Sequence, residues 1–274
     1  MTSLIAWTGV DSRAPASFYF ASDSRISTPN GRTWDCARKV FASSRSPDIL
    51  GYCGDVLFTS QLIAQIVSII DAAAVFEGIL DVESKFALIA ATVKRAHANY
   101  PFAVRSRPEF TIIHGSRRGC NMQTSYALFE LTWKENSGWT EREISVPWKS
   151  EVVAVYGSGK DSLSGSFARW RKSDIGGTSR SVFSAFCDSL EAKRDPFSGG
   201  PPQIVGLFRR GFAESFGVIY GGQPYLGGLP VVEFPNLDGV EWRNELFERC
   251  DWRTKQRLKF AQPHARPRQV PKPS

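Results

Sequence analysis

Thr2-Ser3-Leu4-Ile5-Ala6 opens the chain behind Met1, and Ala21-Ser22-Asp23-Ser24-Arg25 comes next, on what reads as the second strand. The first segment decides the reading, because an aminopeptidase removes a methionine whose neighbour is as small as threonine. Trimming leaves one residue with both a β-hydroxyl and a free α-amine. A hydroxyl is a poor nucleophile until a base stands beside it. An α-amine has an unperturbed pKa of about 7.7–8, so a useful fraction is neutral near pH 7. Thr2 would then hold nucleophile and base together, a known variant of triad chemistry. Many ordinary proteins begin Met-Thr, so the weight comes from the motifs further along the chain.

Arg38-Lys39-Val40-Phe41 places a lysine sixteen residues after Asp23. Gly51-Tyr52-Cys53-Gly54-Asp55, Gly157-Ser158-Gly159 and Asp195-Pro196-Phe197-Ser198-Gly199-Gly200 come next, in that order. Over residues 2–220 the series resembles the proteasome β-subunit family, including its bacterial ring-protease relatives. In that family an N-terminal Thr is followed by an Asp-x-Arg strand and a Lys at this spacing. A Gly-x-x-Gly-Asp turn into a helix, a Gly-Ser-Gly turn and an Asp-x-x-Ser-Gly-Gly segment complete the set. The resemblance implies an α+β fold, the four-layer α-β-β-α sandwich of N-terminal nucleophile hydrolases. It also implies a threonine-type endopeptidase that cleaves peptide bonds by way of an acyl-enzyme.

Carried over residue by residue, the resemblance makes Thr2 the nucleophile and Lys39 the cation beside its amine. Such a cation disfavours the ammonium form and leaves more of the base neutral. A buried lysine needs a partner, since an unpaired buried charge costs several kcal/mol. Asp23 would be that partner, with Arg25 helping to balance the cluster. Without Thr2 upstream, Asp23 and Arg25 would read as a surface hairpin pair worth about 0–1 kcal/mol. Gly51 matches the position whose amide meets the oxyanion, and is equally a plain strand-to-helix turn. Ser158 lies in the Gly-Ser-Gly turn, where a Ser is commonly only a turn former, while Asp195 and Ser198 fall where the family orients the terminal amine; the resemblance counts all three as catalytic. By the same correspondence Ile49 floors an apolar substrate pocket walled by Ala37, Phe41 and Cys53. The sequence departs from the family in three ways. The first turn has five extra residues before Asp23, Ser3 stands for a second threonine, and a basic segment extends beyond the core. With no propeptide before Thr2, removal of Met1 is expected to suffice.

The 274 residues, 42% of them apolar, are enough for one large core. No apolar run reaches the roughly 18 residues of a membrane span, and the start lacks a signal-peptide pattern. Five cysteines (36, 53, 120, 187 and 250) show no Cys-x-x-Cys pair, and only His97, His114 and His264 accompany them. Reduced thiols in a cytoplasmic protein are therefore expected, with no metal and no cofactor. Gly157-Ser158-Gly159-Lys160 is no phosphate loop, because Ala154 and Asp161 stand where that motif needs Gly and Ser/Thr. Arg249–Ser274 carries eight Lys/Arg against one Asp, which accounts for the whole net charge of +7. Arg266, Arg268 and Lys272 among Pro263, Pro267, Pro271 and Pro273 read as a solvated, extended tail. Binding of nucleic acid or an acidic protein surface is the other use of such a tail.

Strands are expected at Leu4–Trp7, Phe18–Ala21, Lys39–Ala42 and Ile49–Gly51. Leu62, Ile63, Ile66, Val67 and Ile70 recur at helical spacing, and a second helix is expected over Asp81–Ala98. Further strands (Phe110–Ile113, Tyr126–Thr132, Ile144–Val146, Val152–Tyr156), helices (Ser162–Lys172, Ser179–Arg194) and closing strands (Ile204–Phe208, Phe216–Tyr220) come after them. Residues 221–274 form an added C-terminal segment, with one helix expected over Glu241–Lys259. Four functions stay open on the sequence. The first is a peptidase acting on peptides or unfolded proteins, homo-oligomeric, with an ATPase or regulatory partner undecided. The others are a non-catalytic scaffold subunit, an amidase for small amides, and a binding module whose tail recruits nucleic acid.

Overall fold

Apolar residues fill both faces of the first two strands, and the structure shows where each face goes. It is a computed structural model and describes residues 2–28, 30–73, 75–76, 81–101, 108–263 and 265–267. Met1, His264 and the tail residues Arg268, Pro271, Lys272 and Pro273 lie outside them. Strands β1 (Leu4–Val10) and β2 (Pro15–Ser22) form an antiparallel hairpin with Leu4 opposite Ser22. Side chains alternate along a strand. Ile5, Trp7, Tyr19 and Ala21 join one apolar cluster, while Leu4, Ala6, Phe18 and Phe20 join another.

The chain continues through β3 (Ile26–Ser27), β4 (Thr33–Trp34), β5 (Val40–Ala42) and β6 (Asp48–Gly54). Helices α1 (Leu57–Ala73) and α2 (Val82–Asn99) come next, and the Asp81 side chain caps α2 by accepting from the Ser84 N–H. The chain then forms β7 (Phe110–Arg118), β8 (Ser125–Lys134), β9 (Gly138–Ile144) and β10 (Val152–Tyr156). Helices α3 (Lys160–Arg171) and α4 (Ser179–Glu191) come after them, α4 opened by a Thr178–Ser181 capping box. The remaining strands are β11 (Gln203–Phe208), β12 (Glu214–Tyr220), β13 (Gln223–Leu226), β14 (Leu229–Pro230), β15 (Trp242–Asn244) and β16 (Arg249–Cys250).

Among the described residues one sheet runs β10-β1-β2-β11-β12-β13-β14, with β15 and β16 attached through β12, and another runs β5-β6-β7-β8-β9. Three of four apolar clusters join helices and sheets, and the fourth holds Ile219, Val231, Trp242 and Cys250. Leu62, Ile63, Ile66 and Val67 of α1 and Phe86, Ile89 and Val93 of α2 lie with Leu50, Ile112 and Phe129 of the second sheet. Val182, Phe183, Phe186 and Leu190 of α4 lie with Trp7, Tyr19 and Ile204 of the first. Between the sheets, Leu4, Phe18, Phe20 and Val205 meet Val40, Ile49, Ile113 and Leu128. Two of these clusters thus join helices to a sheet, and the third holds residues of both sheets.

Two expected elements differ. The strand expected at Ile144–Val146 instead ends at Ile144, because β9 is the polar, largely exposed return strand of a hairpin with β8. No helix forms over Glu241–Lys259. The Asn244 side chain accepts from the N–H groups of Leu246 and Glu248 at 3.0 and 2.9 Å, a local bond that competes with helix. Phe247 and Lys255 take positive φ. Trp242 pairs in parallel with Gly217 of β12, and Phe247 enters the cluster around Trp7. Full burial of such a ring is worth about 1.5–3 kcal/mol, which ties the late segment to the first sheet. One described tail residue makes contacts with the core. Arg266 reaches Asp188 and Glu191 of α4 at 2.8 and 2.9 Å, and Glu245 at 3.4 Å.

Candidate active site

The β1–β2 register brings the head of the chain against Asp23. The Ser3 N–H donates to Asp23 Oδ1 at 3.0 Å, and the Asp23 N–H returns a bond to the Ser3 carbonyl at 3.1 Å. Thr2 is 1% exposed, and Asp23 and Lys39 are fully buried. Lys39 Nζ lies 2.8 Å from Asp23 Oδ1. The N–H groups of Arg25 and Gly199 complete the carboxylate at 3.1 and 3.0 Å on Oδ2. Burying two ions is unfavourable unless each is paired and hydrogen-bonded. Four donors on two oxygens meet that condition. Asp23 is therefore no surface hairpin charge.

Arg25 takes a part besides the expected one, since the Asp23 charge also acts on its guanidinium. Its guanidinium binds both oxygens of Asp35 at 2.8 Å, a two-pronged pair, and touches Asp23 only through its backbone. The Asp35 hydrogen bond raises the guanidinium pKa further, and the same bond holds the Asp35 carboxyl below its usual value.

Ser158, Asp195 and Ser198 come together although they are spread along the sequence. Asp195 Oδ2 accepts from the hydroxyls of Ser158 and Ser198, both at 2.7 Å. Ser3 Oγ donates to Ser198 Oγ at 2.8 Å, so a string of hydroxyls links the residue after Thr2 to Asp195. The Gly-Ser-Gly turn is required by closeness to the chain head. Gly157 has φ +86°, and a Cβ there would stand 1.8 Å from the Thr2 carbonyl oxygen. At Gly159 a Cβ would stand 1.7 Å from Ser3 Oγ, while its N–H donates to the Thr2 carbonyl at 3.4 Å.

The remaining assignments fare differently. Gly51 lies in mid-strand between Val40 and Ile113. Arg117 N–H binds the Pro47 carbonyl, and Asp55 N–H binds the Glu109 carbonyl, in that same β6–β7 ladder. By the alternation of an antiparallel pair, the Gly51 N–H faces Ile113, where the ladder uses it. An oxyanion role for Gly51 would require that ladder bond to open. The four pocket residues are all buried, but Phe41 belongs to the cluster under α1 and α2, whereas Ile49 belongs to the layer between the sheets. The β5–β6 register thus puts Phe41 and Ile49 on opposite faces of the sheet. Ala37 is held through its carbonyl by Gln203 Nε2 at 2.8 Å. Burial pushes the Cys53 thiol up to about 11.

Two residues escape the sequence reading. Ser3 stands out there only as a departure from the family, and its place beside the nucleophile is the available signal. Gln203 opens a buried strand behind Pro201-Pro202, and nothing local distinguishes it.

No protein-family model matches the chain, and no curated protein matches it. Among solved structures, the helical Anbu assembly from Pseudomonas aeruginosa is similar over 78% of this chain and 85% of that one, at 14% identity and a TM-score of 0.53. The fold is proteasome-like. Anbu (ancestral β-subunit) from Yersinia bercovieri stands further off, at 11% identity over 75% of this chain and 81% of that one, with a TM-score of 0.49. Eukaryotic HslV from Trypanosoma brucei is looser still, at 12% identity over 75% of this chain and 99% of that one, with a TM-score of 0.43.

Proposed function

We propose that the chain is a threonine-type hydrolase that cleaves peptide bonds through an acyl-enzyme on Thr2. One observation carries the reading: a fully buried Lys39–Asp23 pair is fastened by the Ser3 amide next to Thr2. A scaffold has no need of that pair at its N-terminus. Once Met1 is removed, the Thr2 hydroxyl attacks the peptide carbonyl and its proton passes to the α-amine. The Lys39 charge keeps that amine neutral and eases ionisation of the hydroxyl. The amine then protonates the leaving nitrogen, and water frees the acyl group. The Ser198–Asp195–Ser158 hydroxyl string orients the amine through its neighbour Ser3.

Three of the four apolar clusters fit a four-layer α-β-β-α sandwich. We further infer a homo-oligomer, on the strength of the fold shared with the helical Anbu assembly. The five unpaired cysteines suit a reducing, cytoplasmic setting.

Hydrolysis of fluorogenic peptides tests the reading. Thr2→Ala should lose about three or more decades of turnover while remaining folded, as when a covalent nucleophile is removed. Undiminished hydrolysis would sink it. The strand register favours a second reading, a non-catalytic subunit, because parity turns the Gly51 N–H toward Ile113. That reading predicts no hydrolysis by the wild-type protein.

A further inference from the structure

Gln203 is 1% exposed, and its carboxamide is used at both ends. Oε1 accepts from the N–H groups of Lys39 at 2.8 Å and Val40 at 3.2 Å. Nε2 donates to the Asp23 carbonyl at 3.2 Å, the Ser24 hydroxyl at 2.9 Å and the Ala37 carbonyl at 2.8 Å. These partners lie on two stretches of chain, residues 23–24 after β2 and residues 37–40 leading into β5. The two stretches feed different sheets and carry the two members of the buried ion pair. One side chain therefore spans the gap between the sheets where Asp23 and Lys39 meet. Without it, the buried Lys39 N–H and the Ala37 carbonyl would lose these partners, an unfavourable state for backbone groups.

We propose that Gln203 is a positioning residue: it fixes the Lys39 main chain against the Asp23 main chain and so sets where the lysine ammonium stands. The role rests on the reading of Thr2 as nucleophile, because the ammonium is useful only at a set distance from the Thr2 amine. Asp23 and Lys39 are the charged groups on one side of Gln203. Arg38 and Cys36 share with it the lining of a cavity of about 510 Å³ on the other. Gln203→Met keeps the length and bulk but removes every bond. Gln203→Asn keeps the carboxamide one methylene shorter, so it cannot reach both stretches.

The test compares both variants with wild type after folding is verified by circular dichroism, using two readouts. The first is peptide hydrolysis. For Gln203→Met kcat should fall about a hundredfold, the scale of a 1 Å misplacement, with KM nearly unchanged. Gln203→Asn should fall in the same sense and serves if the methionine variant does not fold. The second readout is the Thr2 methyl resonance in threonine-labelled protein, identified by its loss in Thr2→Ala and followed against pH. Withdrawing a cation from the amine favours its ammonium form, so the midpoint should move to higher pH in both variants, as should the acid limb of the rate profile. A folded variant with wild-type kcat and an unmoved midpoint would overturn the proposal. If wild type hydrolyses nothing, the functional reading fails by itself. The methyl midpoint then still decides the role of Gln203, a shift supporting it and no shift refuting it.

Discussion

Asp23 holds four donors on two oxygens, so removing its charge and removing its shape are separable experiments. Asp23→Asn keeps the shape but leaves Lys39 buried beside a neutral amide. Breaking a buried pair from one side typically costs about 3–5 kcal/mol. Urea unfolding should register a loss of that size, with activity intermediate between wild type and Thr2→Ala. Lys39→Ala should disable hydrolysis nearly as fully as Thr2→Ala, and near-normal rates would make the cluster merely structural. The cysteines give a second check on the site's surroundings. Only a thiolate reacts readily, and the Cys53 thiol, buried and pushed up to about 11, stays protonated at pH 8. Iodoacetamide should therefore label exposed Cys120 and spare Cys53, as peptide mass mapping would show. At this scale much of the candidate site is legible in the sequence: Thr2, Asp23, Lys39, Ser158, Asp195 and Ser198 sit in short motifs whose order carries information. Ser3 and Gln203 are not, because their partners come from distant parts of the chain and leave no local pattern.

Among the elements, helices α1 and α2 are legible because their apolar residues repeat at helical spacing over about three turns or more. The segment around Asn244 is not, since a side-chain turn and one buried ring outweigh local helix preference. Whether Gly51 faces a ladder or a site depends on strand parity, which pairing decides and composition does not reveal. The second sheet holds an ion cluster that the sequence does not announce. Asp48 of β6 is fully buried, with Lys85 of α2 and His114 of β7 each at 2.8 Å. Burial pushes the Asp48 carboxyl up, but its hydrogen bond to His114 and the Lys85 ammonium beside it help outweigh that, leaving the carboxyl well below the usual range. A depressed folded-state pKa gives stability that is present above the unfolded value of about 3.9 and is lost as pH falls through the folded value. Asp48→Asn should thus cost about 3–5 kcal/mol at pH 7. In urea melts the gap between variant and wild type should narrow below pH 4, and a gap independent of pH would contradict this assignment.

For the molecule as a whole, the order of strands, two helices, strands, two helices and strands can be read from the sequence. The attachment of the late segment cannot, because it depends on Trp242 and Phe247 finding pockets in the first sheet. Among the described tail residues Arg266 is the anchor, and it is modest. Its carboxylate partner Asp188 also accepts from Arg169 and, at 2.8 Å, from Trp170 Nε1, so it stays satisfied without Arg266. With Arg266 itself 42% exposed, its pairs contribute about 0–1 kcal/mol. Deleting residues 262–274 should lower the thermal midpoint by no more than about 4 °C, and collapse of the fold would make the tail part of the core. The central claim is that Thr2, stripped of Met1, offers hydroxyl and amine together. Intact-mass spectrometry after incubation with a peptide epoxyketone, which traps those two groups jointly, tests it most directly. The account predicts a chain beginning at Thr2 and carrying one inhibitor, with no adduct in Thr2→Ala. A chain that retains Met1, or one that starts at Thr2 and stays unmodified, would contradict it.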